Sequence, residues 1–476
     1  MQSTYAIVLV IFFVGTFFLA LWAKSKVSDA EDFIVAGRSL STPLVMGTLI
    51  ATWFGAGSLS ISADAVYQEG LVITGLEPFG VGLCLIIAGL FYAHRVWQEK
   101  VLTLADIIRS RFGKTAEFLQ VIYNVSYFGW IAVQLLAIGH IIELAFGLDA
   151  TTSIILVTVL LVIYTILGGM WSVAITDIVQ VSMLIVGLFI LTGSVFGALG
   201  DGNVATGFAR LFEQSDPAML VWIPTESLQA FNYWLGLFLV GALGSLASQD
   251  VMQRIFASKS AEVASRACVY SGCIYIGIAI LPVFLGMAAK LLLPPEITHA
   301  VITELAKQFL SPAMSVVFML TLTAAITSTV DSALLGPAST LSQNLFRHWF
   351  KGISTLTLTR FAVVLVAVGS ASLALSGTRA IDLLQSSYTL GIPPLVVLTF
   401  ALYRKKHHAL SAVMTFTMGL AVWSYDMVML LMPESFPDGN IFDRYMPLPL
   451  TVLILSVLSY LLCHWYMESR LTAEAS

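Results

Sequence analysis

Seven ionisable side chains stand in or beside strongly apolar stretches: Asp64, Glu77, His140, Glu143, Asp177, Asp250 and Asp331. A charge at membrane depth costs about 2.5 kcal/mol or more, so each is first read as functional and then tested against a plainer role. Asp331 carries the strongest signal. In TLTAAITSTVDSALLGPAST (321–340) the hydroxyls of Thr327, Ser328, Thr329 and Ser332 cluster around it. Ser328, Asp331 and Ser332 share one helical face at i, i+3 and i+4. Hydroxyl and carboxylate oxygens on one face suit a hard cation that has shed its water. The plainer role is back-bonding of the hydroxyls to their own helix. Asp177 lies two turns beyond Gly168 and Gly169, too deep for snorkelling, and reads as an ion partner. For Asp64, Glu143 and Asp250, solvation near an interface is an equal alternative to a functional role. Glu77, within EPFGVG, faces either a cavity or the outer surface, and His140 reads as a hydrogen-bonded interior histidine.

A second chemical signal is a stretch of small residues, 48–60, TLIATWFGAGSLS, inside an apolar run. Gly47, Gly55 and Gly57 each weaken a helix by about 1 kcal/mol near mid-membrane. A helix interrupted there frees backbone carbonyls, and a cation in a protein-lined cavity can satisfy them. Close packing of small residues is the competing explanation.

The elements that must position these groups are membrane helices. The chain has 476 residues, 58% of them hydrophobic and 11% charged, with a mean hydropathy of +0.90. Soluble domains carry about 25% charge, and the short alternating segments of a β-barrel are absent. The pattern predicts an all-α polytopic membrane protein with thirteen spans: 4–23, 41–67, 73–96, 117–146, 150–168, 171–197, 229–253, 264–289, 312–344, 357–376, 383–403, 408–432 and 447–467. The first lacks a basic leader and a cleavage site, so it is expected to be retained. Cys84, Cys268, Cys273 and Cys463 lie in or beside spans, and no disulfide framework is expected.

With the N-terminus outside and the C-terminus cytoplasmic, 18 of the 23 basic residues fall inside, among them Arg38, Arg254 and the 404–406 cluster. Arg210, Lys290, Lys307, Arg379 and Arg444 fall outside. Residues 97–115 read as an amphipathic helix on the cytoplasmic surface. The outer loops 198–228 and 290–311 have room for short interfacial helices. The span at 41–67 is interrupted at 55–57, and the span at 229–253, five spans later and of opposite topology, is interrupted at 241–250. Paired breaks in inverted halves point to a transporter binding site.

With these residues in view, the chain resembles the sodium:solute symporter family. The matching segments are DFIVAGRSL (32–40), ATWFGAGSLSISADAVYQEGL (51–71), YTILGGMWSVAITDIVQ (164–180), QDVMQRIFASKSA (249–261) and AAITSTVDSALLGPAST (324–340). The resemblance implies a LeuT-type core of two inverted five-helix repeats with interrupted first and sixth core helices. The divisions are then 1–40 for the extra N-terminal helix and its loop, 41–200 for the first repeat, 201–228 for an outer loop, 229–403 for the second repeat and 404–476 for two further helices and a tail. It also implies a sodium site formed by the carbonyls of Ala51, Phe54 and Ala325 with the hydroxyls of Ser328 and Thr329. A second cation site carries over to Asp177, Ser328, Asp331 and Ser332, for sodium or a proton.

Within the family the pattern is most similar to the high-affinity choline transporter branch, which implies an aromatic cage for a quaternary ammonium. Trp53 and Trp130 match two cage rings. Ser248, followed by Gln249, and Val81 stand where two further aromatics are expected. The expected activity is therefore sodium-coupled symport of a small organic solute by alternating access. A choline-like amine is the first candidate, with carboxylates and amino acids as alternatives. The solute-binding residues are expected to be Trp53, Trp130, Ser248 and Gln249. Sodium is the coupling ion and no other cofactor is expected. Sodium, the solute and the lipid bilayer are the expected partners, without nucleic acid, in a cell membrane of the bacterial inner-membrane type. A membrane sensor and a channel are the readings from other classes; the tail is too short for a signalling domain. No nucleophile motif or His/Cys metal spacing in the spans suggests an enzyme.

Overall fold

The computed structural model describes residues 2–294, 297, 300–378, 380–431 and 446–475. Arg379, Arg444 and residue 432, the end of the twelfth expected span, lie outside the described residues. Among the described residues the regular structure is helical, apart from one strand-like bridge between Leu40 and Ser258. Among the described residues, ten helical stretches are long and apolar enough to cross a membrane, and Thr42–Trp53 and Leu228–Leu243 are shorter apolar helices. Large apolar side chains such as Ile11, Phe18, Leu90, Phe189 and Leu462 are exposed, as a lipid-facing surface requires.

Both expected interruptions are present. Thr42–Trp53 ends where Phe54 leaves helical geometry (φ −89°, ψ 61°), and the chain resumes at Gly57–Ile61 and Ser62–Glu69. Leu228–Leu243 stops before residues 244–248 and continues as Gln249–Ala257. The start of the first broken helix and the end of the second are stitched together. Leu40 N–H donates to the Ala257 carbonyl at 2.9 Å, and Lys259 N–H donates to the Leu40 carbonyl at 3.0 Å.

The helix Pro312–Thr340 is the central post. Every residue from 321 to 340 is buried, so none of its hydroxyls there can rely on bulk water. It packs against Ala150–Leu199, Ser126–Phe146, Thr355–Ala374 and Thr42–Trp53.

Ala150–Leu199 is 50 residues long but kinks at Gly169 (φ 53°, ψ −145°), within the break expected between 168 and 171. That backbone conformation is open essentially to glycine alone. A Cβ there would sit 2.5 Å from the Phe33 carbonyl oxygen and 2.6 Å from the Phe33 ring. Gly169→Ala is therefore expected to cost about 3 kcal/mol and to lower the melting temperature in detergent, read by fluorescence-detected size exclusion. An unchanged melting curve would contradict the close approach.

The amphipathic segment at 97–115 contributes the helix Leu104–Phe112, opened by a reciprocal cap between Thr103 and Asp106. Its apolar residues Leu104, Ile107, Ile108 and Phe112 are buried, packed among Lys114–Ile122, Ile392–Tyr403 and Ala409–Leu431. Its apolar face is therefore covered by protein. The loops at 198–228 and 290–311 hold the short helices Val204–Gln214 and Val301–Phe309. The last helix, Leu448–Ala475, is tied down by Glu468, which pairs with Lys406 at 2.5 Å and His408 at 2.8 Å. All four cysteines are free.

Candidate functional site

The site lies where the two broken helices meet the central post. At the first break the exposed backbone is partly satisfied by side chains. Ala56 N–H donates to Gln134 Oε1 at 2.7 Å, and Ser58 Oγ donates to the Trp53 carbonyl at 3.0 Å. Thr329 Oγ1 stands 3.3 Å from the Ala51 carbonyl and 3.2 Å from the Ala325 carbonyl. A Cβ on Gly55 would fall 2.5 Å from both Gln134 Oε1 and Thr329 Oγ1, so glycine lets the post approach the break. Ala51, Ala325 and Thr329 are thus brought together, with Phe54 at the break itself.

Ser328, one position earlier on the post, engages Asp177 instead. Its hydroxyl donates to Asp177 Oδ1 at 2.5 Å, and the other oxygen of Asp177 accepts from Thr48. Ser332 Oγ accepts from Thr52 Oγ1 at 2.9 Å and from an Nη of Arg254 at 2.6 Å. Asp331 is 1% exposed, and its Oδ1 has no hydrogen-bond partner among the described residues. A buried carboxylate oxygen without a donor beside a set of hydroxyl oxygens is chemically suited to a cation.

The second break builds a pocket. Asp250, 1% exposed, accepts from Trp53 Nε1 at 2.7 Å and from the Tyr127 hydroxyl at 2.5 Å. Tyr127 also accepts from the Asp250 N–H at 2.9 Å. The cavity in front of this carboxylate is lined by Tyr123, Tyr127, Trp130 and Tyr388, with Ser248 and Gln249 at its edge. Trp53 meets it through Asp250, its indole N–H already engaged. Gln249 has its amide committed elsewhere: Oε1 accepts from Leu104 N–H at 2.8 Å, and Nε2 donates to the Leu102 carbonyl at 3.3 Å. Ser248 Oγ donates to the Ser245 carbonyl at 2.7 Å. An anion walled by aromatic rings favours a small organic cation.

Sequence reasoning missed some of these residues and misplaced others. Arg254, grouped there with the cytoplasmic basic residues, is fully buried. Asp250 had a plain interface reading, yet it is buried at the second break. Tyr127 stands three residues before Trp130 on one face of Ser126–Phe146, a spacing that was visible but without a distinguishing type. Glu77 is buried and accepts from Tyr275 at 2.6 Å and Ser58 at 3.2 Å, which places it inside rather than at the outer surface. Asp64 accepts from the Ala300 and Val301 N–H groups at 3.1 and 2.9 Å, at the start of Val301–Phe309. The expected interior role of His140 does not hold. It pairs at 3.5 Å with Glu143, with side-chain exposures of 44% and 41%.

Comparison with known proteins follows the same lines. The high affinity choline transporter 1 of Homo sapiens is 26% identical, covering 98% of this chain and 85% of the relative. That of Drosophila melanogaster is 27% identical over 77% of this chain, which spans 61% of that relative's length. The sodium/glucose cotransporter of Vibrio parahaemolyticus is 24% identical over 70% of this chain. Among solved structures, a substrate-bound, outward-open Na+-coupled sialic acid symporter superposes with a TM-score of 0.76 at 16% identity, covering 97% of this chain. Mhp1, a nucleobase-cation-symport-1 family transporter, gives 0.59; both likenesses concern the fold. The profile of the sodium:solute symporter family matches residues 33–419, and the chain belongs to that family.

Proposed function

We infer that this protein is a sodium-coupled symporter that carries a small organic cation, a choline-like amine or ammonium compound, by alternating access. The observation that carries the substrate class is Asp250: a buried carboxylate held by Trp53 and Tyr127 behind a cavity walled by Trp130 and three tyrosines. A quaternary ammonium needs no hydrogen-bond acceptor; it gains from aromatic faces and a fixed negative charge. The likeness to high-affinity choline transporters supports the same class. A carboxylate or amino acid remains the alternative solute, and Asp250 disfavours the former.

Sodium is carried as cargo. Its site is assigned to the carbonyls of Ala51, Phe54 and Ala325 with the hydroxyls of Ser328 and Thr329, and a second cation site to Asp177, Ser328, Asp331 and Ser332. Trp53, Trp130, Ser248 and Gln249 are assigned to solute binding, Trp53 and Gln249 through the neighbours they position. Inward sodium movement releases about 2.3 kcal/mol per charge per 100 mV, in addition to its concentration term. Sodium at the first break ties the broken helix to the central post, which favours the solute-accepting state.

The architecture is assigned as thirteen spans. Residues 150–199 count as two spans about Gly169, and each broken helix counts as one. The divisions are 1–40, 41–200, 201–228, 229–403 and 404–476, with the repeats at 41–200 and 229–403 inverted. The N-terminus is placed outside and the C-terminus in the cytoplasm, in a bacterial inner membrane.

The test is uptake of labelled choline into proteoliposomes with and without an inward sodium gradient, challenged by a panel of amines, carboxylates and amino acids. Saturable, sodium-dependent uptake blocked by amines is expected. Flux without saturation would indicate a channel, and competition by carboxylates alone would overturn the cationic solute.

A further inference from the structure

The connection at 404–408 and the last helix bring two imidazoles and a carboxylate to one point. His464 and Glu468 are four residues apart in Leu448–Ala475 and so share a face, and His408 reaches them from the connection, just before Ala409–Leu431. A ring nitrogen of each histidine and a carboxylate oxygen of Glu468 all lie within 4.8 Å of one another. His408 Nε2 and Glu468 Oε1 are 2.8 Å apart, and the two imidazole rings are 4.9 Å apart, centre to centre. His464 is 8% exposed, and its Nδ1 has no hydrogen-bond partner among the described residues. Buried polar atoms are normally partnered, so this nitrogen is free to coordinate.

We propose that His408, His464 and Glu468 bind one divalent transition ion of the zinc class, which clamps the connection to the last helix. Two imidazoles and one carboxylate are a set that zinc accepts at about 2.0–2.2 Å, with the fourth position left to water. Calcium and magnesium, which take oxygen ligands, are disfavoured. Tetrahedral ligands at those lengths stand about 3.4 Å apart, so no two of the three atoms need approach by more than about 1.4 Å. The ion replaces the hydrogen bond between His408 Nε2 and Glu468 Oε1, and the ring keeps its proton on Nδ1. Glu468 Oε2 stays with Lys406 Nζ at 2.5 Å, an outer contact that fixes the carboxylate. Lys406 is 70% exposed, so water and salt screen its charge, and Glu468, 28% exposed, gives the ion a way in. His140 and Glu143 form another His–Glu pair, but without a third ligand among the described residues.

The experiment is zinc binding to the full chain in nanodiscs, free of any polyhistidine tag and stripped with chelator, with Zn2+ alone as the probe. One ion per chain is expected, together with a rise in melting temperature. His464→Asn and Glu468→Gln are each expected to weaken binding at least about tenfold, since even outer contacts of a metal are worth about 10–100-fold. His140→Asn is expected to bind zinc as the unaltered protein does. Co2+ in place of Zn2+ is expected to show the visible absorption of a tetrahedral ion, a readout on the unaltered protein that stands even where a variant fails to fold. The proposal is overturned by absence of saturable zinc binding, by cobalt bound without that absorption, by equal zinc binding in a folded His464→Asn or Glu468→Gln, or by loss of the ion in His140→Asn.

Discussion

Asp250→Asn is expected to lower uptake of a choline-like solute by about a hundredfold, chiefly through weaker solute binding. The substitution preserves shape and removes the charge. Trp53 Nε1 and the Tyr127 hydroxyl both donate to this carboxylate, so an amide oxygen can keep one of those bonds while its NH2 opposes the other donor. Removing one partner of a buried charged pair costs about 2–5 kcal/mol, and each 1.4 kcal/mol is about tenfold in affinity. Binding of a labelled amine to purified protein, at saturating sodium, is the direct readout. Uptake retained within about threefold would show that the charge of Asp250 is not what recognises the solute.

The other large effect is expected at the sodium side. Ser328→Ala should raise the sodium concentration for half-maximal uptake by about tenfold, since one hydroxyl bonded to a charged group is worth about 1.5–3 kcal/mol. Asp177→Asn should have the greater effect, about a hundredfold, because this one carboxylate holds hydroxyls from two elements: Thr48 on the first broken helix and Ser328 on the post. Losing its charge loosens both at once. The measurement is sodium activation of uptake at fixed solute, and an unchanged activation curve in both variants would remove Asp177 and Ser328 from the site.

Much of this arrangement was legible because membrane helices obey few rules. Apolar windows located the helical stretches, and glycines at 55–57 and 241–244 marked both interruptions, since a spanning segment has little other use for flexible backbone there. The oxygen face of Ser328, Asp331 and Ser332 followed from helical spacing alone. What the sequence hid depends on the third dimension. Arg254 looked like one more cytoplasmic charge, because a positive residue near a span end is normally solvated, and its burial depends on Thr52 and Ser332 from two other helices. Asp250 stood close enough to an interface to seem solvated until Trp53 and Tyr127, remote in sequence, closed over it. The segment at 97–115 had the amphipathic pattern of a surface helix, and hydrophobic periodicity does not distinguish lipid from protein as the covering.

The backbone stitch between Leu40 and residues 257–259 has a mechanical meaning. It joins the chain just before one broken helix to the chain just after the other, and Trp97 reinforces it by donating to the Ser258 carbonyl at 2.7 Å. The first half of one broken helix and the second half of the other are thereby yoked like a pair of oars on one handle. Neither can swing without carrying its mate or parting these main-chain bonds.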